Sequence, residues 1–152
     1  MHFSRILVTT DFSEASYRAF DLAAYERKME GAEIRLLYVY QYFHAPVTTP
    51  DIPVPLLGSE FYETNRQRAQ AKLEDVGKRY FHGQNVVADA VLSLQVPGDV
   101  ICRYAEEQGV DVIVSASRGH TPLKALFLGS TVQRVLLKAK CPVLIVPVGE
   151  DA

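Results

Sequence analysis

The sequence has little of what marks a secreted, membrane-bound or disulfide-linked protein. It contains two cysteines and no tryptophan, and Cys102 and Cys141 show neither a CxxC nor a zinc-ligand spacing. Such cysteines are typical of buried small side chains in a reducing compartment. No apolar run approaches the roughly 20 residues of a membrane span, and the residues before Asp11 do not form a signal peptide. We therefore expect a cytoplasmic protein.

The chain also lacks a strong charge of either sign. Its formal net charge is −2 at pH 7, charged residues make up 22% of it and hydrophobic residues make up 48%. A basic surface for nucleic acid or for an anionic membrane is not expected, so neither is predicted as a partner. This length and composition are typical of one globular domain, which we assign to residues 1–152.

Several nucleotide-binding and catalytic motifs are missing as well. There is no GxxxxGK[ST] loop and no GxGxxG after the first predicted strand, which disfavours P-loop NTPases and dinucleotide-binding domains. A phosphoacceptor receiver domain carries an acidic pair after its first strand, but Asp11 stands there alone. No serine can be matched by spacing with a histidine and an acid. We therefore predict no catalytic residues and no enzyme activity.

What the sequence does contain is a regular alternation of apolar runs and amphipathic segments. The apolar runs predict five strands, at 6–10, 34–40, 86–92, 111–115 and 143–148. Four helices are predicted between them, beginning near Ser13, Ser59, Pro97 and Thr131, and a proline-rich connection covers 46–58. Strands that are apolar throughout are typical of a parallel sheet covered on both faces. We predict an α/β, doubly wound five-stranded parallel sheet in the Rossmann-like order 3-2-1-4-5.

One loop, between the fourth strand and the fourth helix, has the features of an anion site. Gly119 and Gly129 are ten positions apart, and Ser130 and Thr131 follow at the mouth of the helix. Unpaired N–H groups at a helix start, with no side chains crowding them, bind phosphate well. The carboxyl ends of parallel strands share one edge, so Asp11 is expected at the same rim. The loop is therefore predicted to wrap an anion.

The same residues also allow purely structural roles. Ser130 begins an S-x-x-Q capping box and could serve only to cap the fourth helix. Asp11 could be only the N-cap of the first helix, a position that Ser13 also suits. Gly119 and Gly129 could serve only a tight turn. From the residues alone, these alternatives stay open.

The order and spacing of several segments resemble the universal stress protein family across almost the whole chain. The segments are ILVTTDFS from Ile6, LLYV from Leu36, DVIV from Asp111, LKALFLGS from Leu123 and CPVLIV from Cys141. Nucleotide-binding members of that family carry Gly-x2-Gly-x9-Gly-(Ser/Thr) after the fourth strand. This chain matches that motif except that Ala116 takes the place of the first glycine.

The resemblance implies an adenine nucleotide, ATP, lying across the strand ends, with Mg²⁺ reaching it only through the phosphates. Carried over by position, Asp11 would hold the ribose hydroxyls, Thr10 would shape that end, and the Val39 backbone would meet the adenine edge. The residues that would surround the phosphates are Gly119, Gly129, Ser130 and Thr131, and Arg118 would add a charge-assisted bond.

Ala116 is the weak point of the implied site. If the backbone there needs a positive φ, alanine costs on the order of 1 kcal/mol. If only closeness to the ligand is needed, one methyl group is tolerated. We expect weakened rather than abolished nucleotide binding.

The resemblance also implies a homodimer formed through strand 143–148, whose apolar edge would otherwise be exposed. Three functions follow from it. The first is an ATP-binding stress-response switch or sensor, and the second is a dimeric interaction protein that binds no nucleotide. A weak ATPase or self-phosphorylating activity is the least supported of the three.

Overall fold

The computed structural model describes residues 2–42, 59–82, 85–119 and 128–148, in which strands and helices alternate. The elements are β1 (Arg5–Thr9), α1 (Glu14–Glu30), β2 (Glu33–Gln41), α2 (Ser59–Phe81), β3 (Val86–Ser93), α3 (Pro97–Glu107), β4 (Val112–Ala116), α4 (Ser130–Lys138) and β5 (Val143–Val146). The predicted connection at 46–58 lies outside the described residues. The strands form one sheet in the order β3-β2-β1-β4-β5, with every neighbouring pair parallel. The predicted doubly wound architecture is confirmed.

The sheet is buried on both faces because successive side chains of a strand point to opposite sides. Ile6 and Val8 of β1 belong to a core that includes Phe20 of α1 and Leu73 of α2. Leu7, between them, belongs to a second core with residues of α3 and α4. This explains why β1 reads as a continuous apolar run in the sequence.

Local signals in the sequence define the ends of α1. The Ser13 hydroxyl accepts the Ser16 N–H at 3.1 Å, so Ser13 is the N-cap and the alternative assignment to Asp11 is wrong. At the other end, Gly31 has φ 70° and donates its N–H to the Arg27 carbonyl at 2.8 Å. A left-handed residue at this position favours glycine, as the sequence predicted.

The two edge strands differ in how their outer backbone groups are satisfied. On β3, the Gln70 side chain of α2 donates to the Ala88 carbonyl at 2.7 Å and accepts the Ala90 N–H at 2.8 Å. The amide thus takes the place of a neighbouring strand. Within the described residues, no side chain does the same for β5. None of the described helices is both long enough and apolar enough to cross a bilayer.

β5 is two residues shorter than predicted. Pro147 follows Val146 and has no N–H to donate to a neighbouring strand, so the regular pairing stops there. The next N–H, that of Val148, instead donates to the Ser117 hydroxyl at 3.0 Å. The segment after β5 is therefore hydrogen-bonded to the loop that follows β4.

Candidate functional site

A cleft of ≈ 480 Å³ lies at the carboxyl ends of the central strands. This volume is within the range of small-molecule and cofactor sites. The nine residues predicted to contact the nucleotide all line the cleft, namely Thr10, Asp11, Val39, Ala116, Arg118, Gly119, Gly129, Ser130 and Thr131. The structure therefore brings together residues from β2, from the loops after β1 and β4, and from the start of α4.

The loop after β1 turns sharply and directs Asp11 to the rim. Phe12 has φ 65°, a left-handed conformation that costs a non-glycine residue about 1–3 kcal/mol. The Thr10 hydroxyl accepts the Phe12 N–H at 2.9 Å and shares a 2.7 Å hydrogen bond with the Ser16 hydroxyl. Asp11 Oδ1 accepts the backbone N–H of Ser13 at 3.0 Å and its hydroxyl at 2.5 Å. These bonds hold the carboxylate in place.

Aromatic packing behind this loop supports the same conformation. The Phe12 ring lies 4.5 Å from the Tyr38 ring, and the Lys72 ammonium lies 4.4 Å from the centre of the Phe12 ring. An ammonium group above an aromatic ring is attracted by the partial negative charge of the ring face. The strained residue next to Asp11 is therefore held by β2 and α2 together.

Gly119 crosses directly over the Asp11 carboxylate. A Cβ placed on Gly119 would lie 1.8 Å from Asp11 Oδ2, whereas its φ is not positive. A side chain at position 119 would therefore have to displace the Asp11 carboxylate, and no left-handed φ requires the glycine.

At the start of α4, the predicted capping box is wrong. Gly129 is the N-cap, with φ −60° and ψ 149°, and Ser130 is already the first helical residue. The Gln133 side chain donates to the Leu128 carbonyl at 2.7 Å instead of closing a box. The N–H groups of the first turn have no partner within the helix. No cap side chain accepts them, and Ser130, Thr131 and Gln133 line the cleft.

Gly129 has no requirement for glycine within the described part of the chain. Its φ is compatible with any residue, and an added Cβ would lie 3.6 Å from the Arg118 Cα and 3.7 Å from the Ser117 carbonyl oxygen. These are ordinary contact distances. Among the described residues, neither a turn nor a clash explains this glycine, so the tight-turn alternative finds no support there.

Ala116 ends β4 without backbone strain. It is not among the residues with positive φ, so the first of the two alternatives given for this position, a strained alanine, does not apply. Its side chain is buried in a small apolar cluster with Ala15 and Val148. The methyl group therefore packs between α1 and the segment after β5.

Arg118 and Ser117 connect the cleft to the segment after β5. Arg118 Nη2 donates to the Val148 carbonyl at 3.0 Å, and the Ser117 hydroxyl accepts the Val148 N–H at 3.0 Å. The Ser117 carbonyl also accepts the Gly129 N–H at 2.9 Å. One residue thus joins β4, the cap of α4 and the end of β5. Sequence reasoning missed Ser117, because nothing in its local pattern marks it.

Several further lining residues were not predicted. Thr9 donates to the Ser115 hydroxyl at 2.9 Å, and both side chains are buried beneath the cleft. Their position at the carboxyl ends of β1 and β4 could have identified them as residues of the cleft. The other missed residues are Ser16, Leu37, Pro97, Ile101, Leu128, Val132 and Gln133. The cleft therefore has an apolar part as well as polar groups, which suits an amphipathic ligand.

The described residues contain no group of three or more side chains suited to hold a metal ion.

This fold, with a cleft at the carboxyl ends of its strands, is that of a doubly wound α/β protein. The chain belongs to the Universal stress protein family, which it matches over residues 2–147. It is 32% identical to universal stress protein YxiE of Bacillus subtilis over 148 residues, covering 95% of this chain and 99% of that one.

Two solved structures illustrate the shared fold. Universal stress protein MJ0577 of Methanocaldococcus jannaschii is 30% identical over 156 residues, or 95% of this chain and 94% of that one. Its structure aligns with a TM-score of 0.78 and 27% identity over 98% and 99% of the two chains. A universal stress protein from Archaeoglobus fulgidus, in complex with dAMP, aligns with a TM-score of 0.65 and 19% identity over 95% and 98%.

Proposed function

We propose that this protein binds ATP in the cleft and acts as a homodimeric stress-response switch or sensor in the cytoplasm. The observation that carries the proposal is that the first turn of α4, with no capping side chain, lines the same cleft as Asp11. The two ends of this cleft offer different chemistry. Hydrogen-bond acceptors for hydroxyl groups lie on one side and N–H donors for an anion lie on the other.

The residues present fit the parts of an adenine nucleotide. Leu37 and Val39 supply apolar wall, and the Val39 backbone would meet the adenine edge. The Asp11 carboxylate would accept hydrogen bonds from the ribose hydroxyls. Backbone N–H groups at Ser130 and Thr131 would bind phosphate oxygens with the positive end of the helix dipole. Mg²⁺ would neutralise the phosphates and be held by them.

Three further facts support the proposal. Gly129 is unexplained by turn geometry or by contacts within the described chain, and space for a phosphate would explain it. The Archaeoglobus fulgidus relative is a complex with dAMP, an adenine nucleotide; at 19% identity it shares the fold, so the argument for this chain depends on its own cleft. The two cysteines are free, which agrees with a reducing compartment.

The bonds at Val148 suggest how occupancy would be transmitted. Arg118 donates to the Val148 carbonyl, and a bound phosphate would compete for the same guanidinium. Loss of that bond would loosen the segment after β5, the edge strand through which we propose that two copies pair. Nucleotide binding would thereby change the dimer surface. We propose no turnover as part of this function.

The proposal is tested by identifying the nucleotide in freshly purified protein after denaturation, and by calorimetric titration with ATP and with 2′,3′-dideoxy-ATP. We expect an adenine nucleotide in the preparation and tighter binding of ATP than of the dideoxy analogue. Asp11→Asn should remove that preference, because a neutral amide is a weaker acceptor. Asp21→Asn, an exposed change on α1, is the matched control and should keep it. Absence of both copurified nucleotide and ATP binding would overturn the proposal.

The second candidate is a dimeric interaction protein that binds no nucleotide. It is favoured by the bonds that Asp11 and Arg118 already make within the chain. Leu137, 84% exposed on α4, is available for a protein contact. Light scattering that shows a dimer, together with no response to ATP, would support this candidate over the first.

A further inference from the structure

We infer that Gly98 and Asp99 are positioning residues that hold the first turns of α4 over the cleft and so set the affinity for phosphate groups. Neither residue was predicted to belong to the site. The inference rests on the proposed ATP binding and adds to it a division of labour. In this division, α3 and α4 determine phosphate affinity, whereas the loop after β1 and strand β2 determine nucleoside affinity.

The first observation is the closeness of α3 and α4 at Gly98. A Cβ placed on Gly98 would lie 2.6 Å from the Arg134 Cβ, 2.7 Å from its Cγ and 3.1 Å from the Thr131 carbonyl oxygen. Real Cβ atoms do not approach other atoms at the first two of these distances. Gly98 has no positive φ, so closeness alone requires the glycine. Any side chain there would push α4 outward.

The second observation is an ion cluster one residue further along α3. Asp99 accepts two hydrogen bonds from Arg134, from Nε at 2.8 Å and from Nη2 at 2.7 Å. Lys138 Nζ lies 2.8 Å from the same carboxylate. The bonds from Arg134, followed by that from Lys138, hold the pKa of Asp99 well below its usual range. Asp99 therefore contacts α4 both at its second turn and at its last residue.

The third observation is that the same part of α3 forms a wall of the cleft. Pro97 and Ile101 lie on either side of Gly98 and Asp99 in the sequence, and both line the cleft, as do Thr131 and Val132 of α4. A displacement of α4 relative to α3 would move the N–H donors of its first turn away from this wall. The stabilisation of an anion by a helix terminus falls off within one turn, so even a small shift matters.

The residues proposed to bind the nucleoside lie on elements other than α3 and α4, although Leu37 shares an apolar cluster with Ile101 of α3. Asp11 follows β1, and Leu37 and Val39 belong to β2. In this arrangement, loosening α4 should weaken the binding of phosphates and leave the binding of adenosine unchanged. A general loss of stability would instead affect both ligands.

The test is calorimetric titration of wild type and variants with ATP and with adenosine. For Gly98→Ala and for Asp99→Asn, we expect ATP affinity to fall about tenfold while adenosine affinity changes less than about twofold. Asp99→Glu keeps the carboxylate and should restore most of the ratio of ATP to adenosine affinity. Asp99→Asn is the milder change and provides the test if Gly98→Ala does not fold.

Gly77→Ala is the matched control. A Cβ on Gly77 of α2 would lie 3.1 Å from the Leu36 Cδ1 and 3.3 Å from the Val86 Cγ1, so it also crowds a packed helix, away from the cleft. We expect it to leave the ratio of ATP to adenosine affinity unchanged, whatever its effect on the melting temperature. One outcome is that wild type binds ATP while Gly98→Ala and Asp99→Asn show the wild-type ratio of ATP to adenosine affinity. In that case the positioning role is overturned and the proposed function stands. If wild type binds neither ATP nor adenosine, both the positioning role and the proposed ATP binding are overturned.

Discussion

The carboxylate of Asp11 lies against the α-carbon of Gly119, at a distance that leaves no room for a side chain. A Cβ on Gly119 would lie 1.8 Å from Asp11 Oδ2 and 2.8 Å from its Cγ. The loop after β1 and the loop after β4 therefore meet at one side of the cleft. Each residue restricts what the other position can contain.

Gly119→Ala is expected to destabilise the protein by about 1–3 kcal/mol, because the methyl group must displace the Asp11 carboxylate or the loop. The same change in an Asp11→Ala background should cost less than about 0.5 kcal/mol, since the obstructing atoms are gone. Urea unfolding of the four proteins in this cycle measures the coupling. Equal costs in the two backgrounds would show that the two segments are not in contact.

Gly129→Ala separates the needs of the fold from those of the ligand. The backbone at this N-cap accepts alanine, so we expect a loss of no more than about 1 kcal/mol in stability. ATP affinity should fall by about tenfold or more, because the methyl group occupies space next to the phosphates. Thermal unfolding and calorimetry on the same sample give both values. Unchanged ATP affinity would leave Gly129 without a role in the cleft.

Tyr104 is expected to make the protein less stable at high pH. Burial, and then its hydrogen bond to the Asp89 carboxylate, raise the pKa of Tyr104 from 10.0 to about 12, although Arg35 opposes the shift. The folded state thus keeps this proton after the unfolded state has lost it. The contribution of Tyr104 to the stability of the folded state is therefore complete below pH 10 and is lost as the pH rises to about 12.

Urea midpoints measured at about pH 8 and about pH 11 check this expectation. Tyr104→Phe should reduce the alkaline loss of stability, because it removes the titrating hydroxyl. Tyr25→Phe is the control, since the Tyr25 side chain is 60% exposed. A decline with pH that is as steep in Tyr104→Phe as in wild type would contradict the assignment.

Gln70→Ala is expected to cost about 1–3 kcal/mol, because it leaves the Ala88 carbonyl and the Ala90 N–H without their side-chain partner. Gln67→Ala, three residues earlier on α2, removes a bond to the exposed Glu63 and should change stability by less than about 0.5 kcal/mol. Chemical unfolding compares the two. Equal effects would mean that the Gln70 amide contributes nothing at the edge of β3.

The features that the sequence predicted well are local or follow from topology. The apolar runs identify each strand because a doubly wound sheet buries both faces of its strands. Once the strands are placed, the carboxyl ends of β1 and β4 lie at one rim. Asp11 and Gly119 can therefore be assigned to the same cleft from their chain positions alone.

The features that the sequence could not predict are contacts between distant segments. Gly98 and Arg134 are 36 positions apart, and nothing near either residue indicates that the Gly98 backbone packs against the Arg134 side chain. The hydrogen bond between the Val148 N–H and the Ser117 hydroxyl depends on where β5 ends. The capping box at Ser130 failed for a different reason, since the helix begins one residue earlier than that motif requires. An error of one position is enough to change a cap into the first helical residue.

The amide of Gln70 has a consequence for the size of any assembly. A sheet with two open edges can add a neighbour at each, and a contact that repeats in this way produces an open-ended filament. Here the Gln70 side chain already bonds two backbone groups of the β3 edge, and β5 is the other edge. The proposed pairing through β5 about a two-fold axis would use the same edge on both copies. Growth by strand addition would then stop at two subunits.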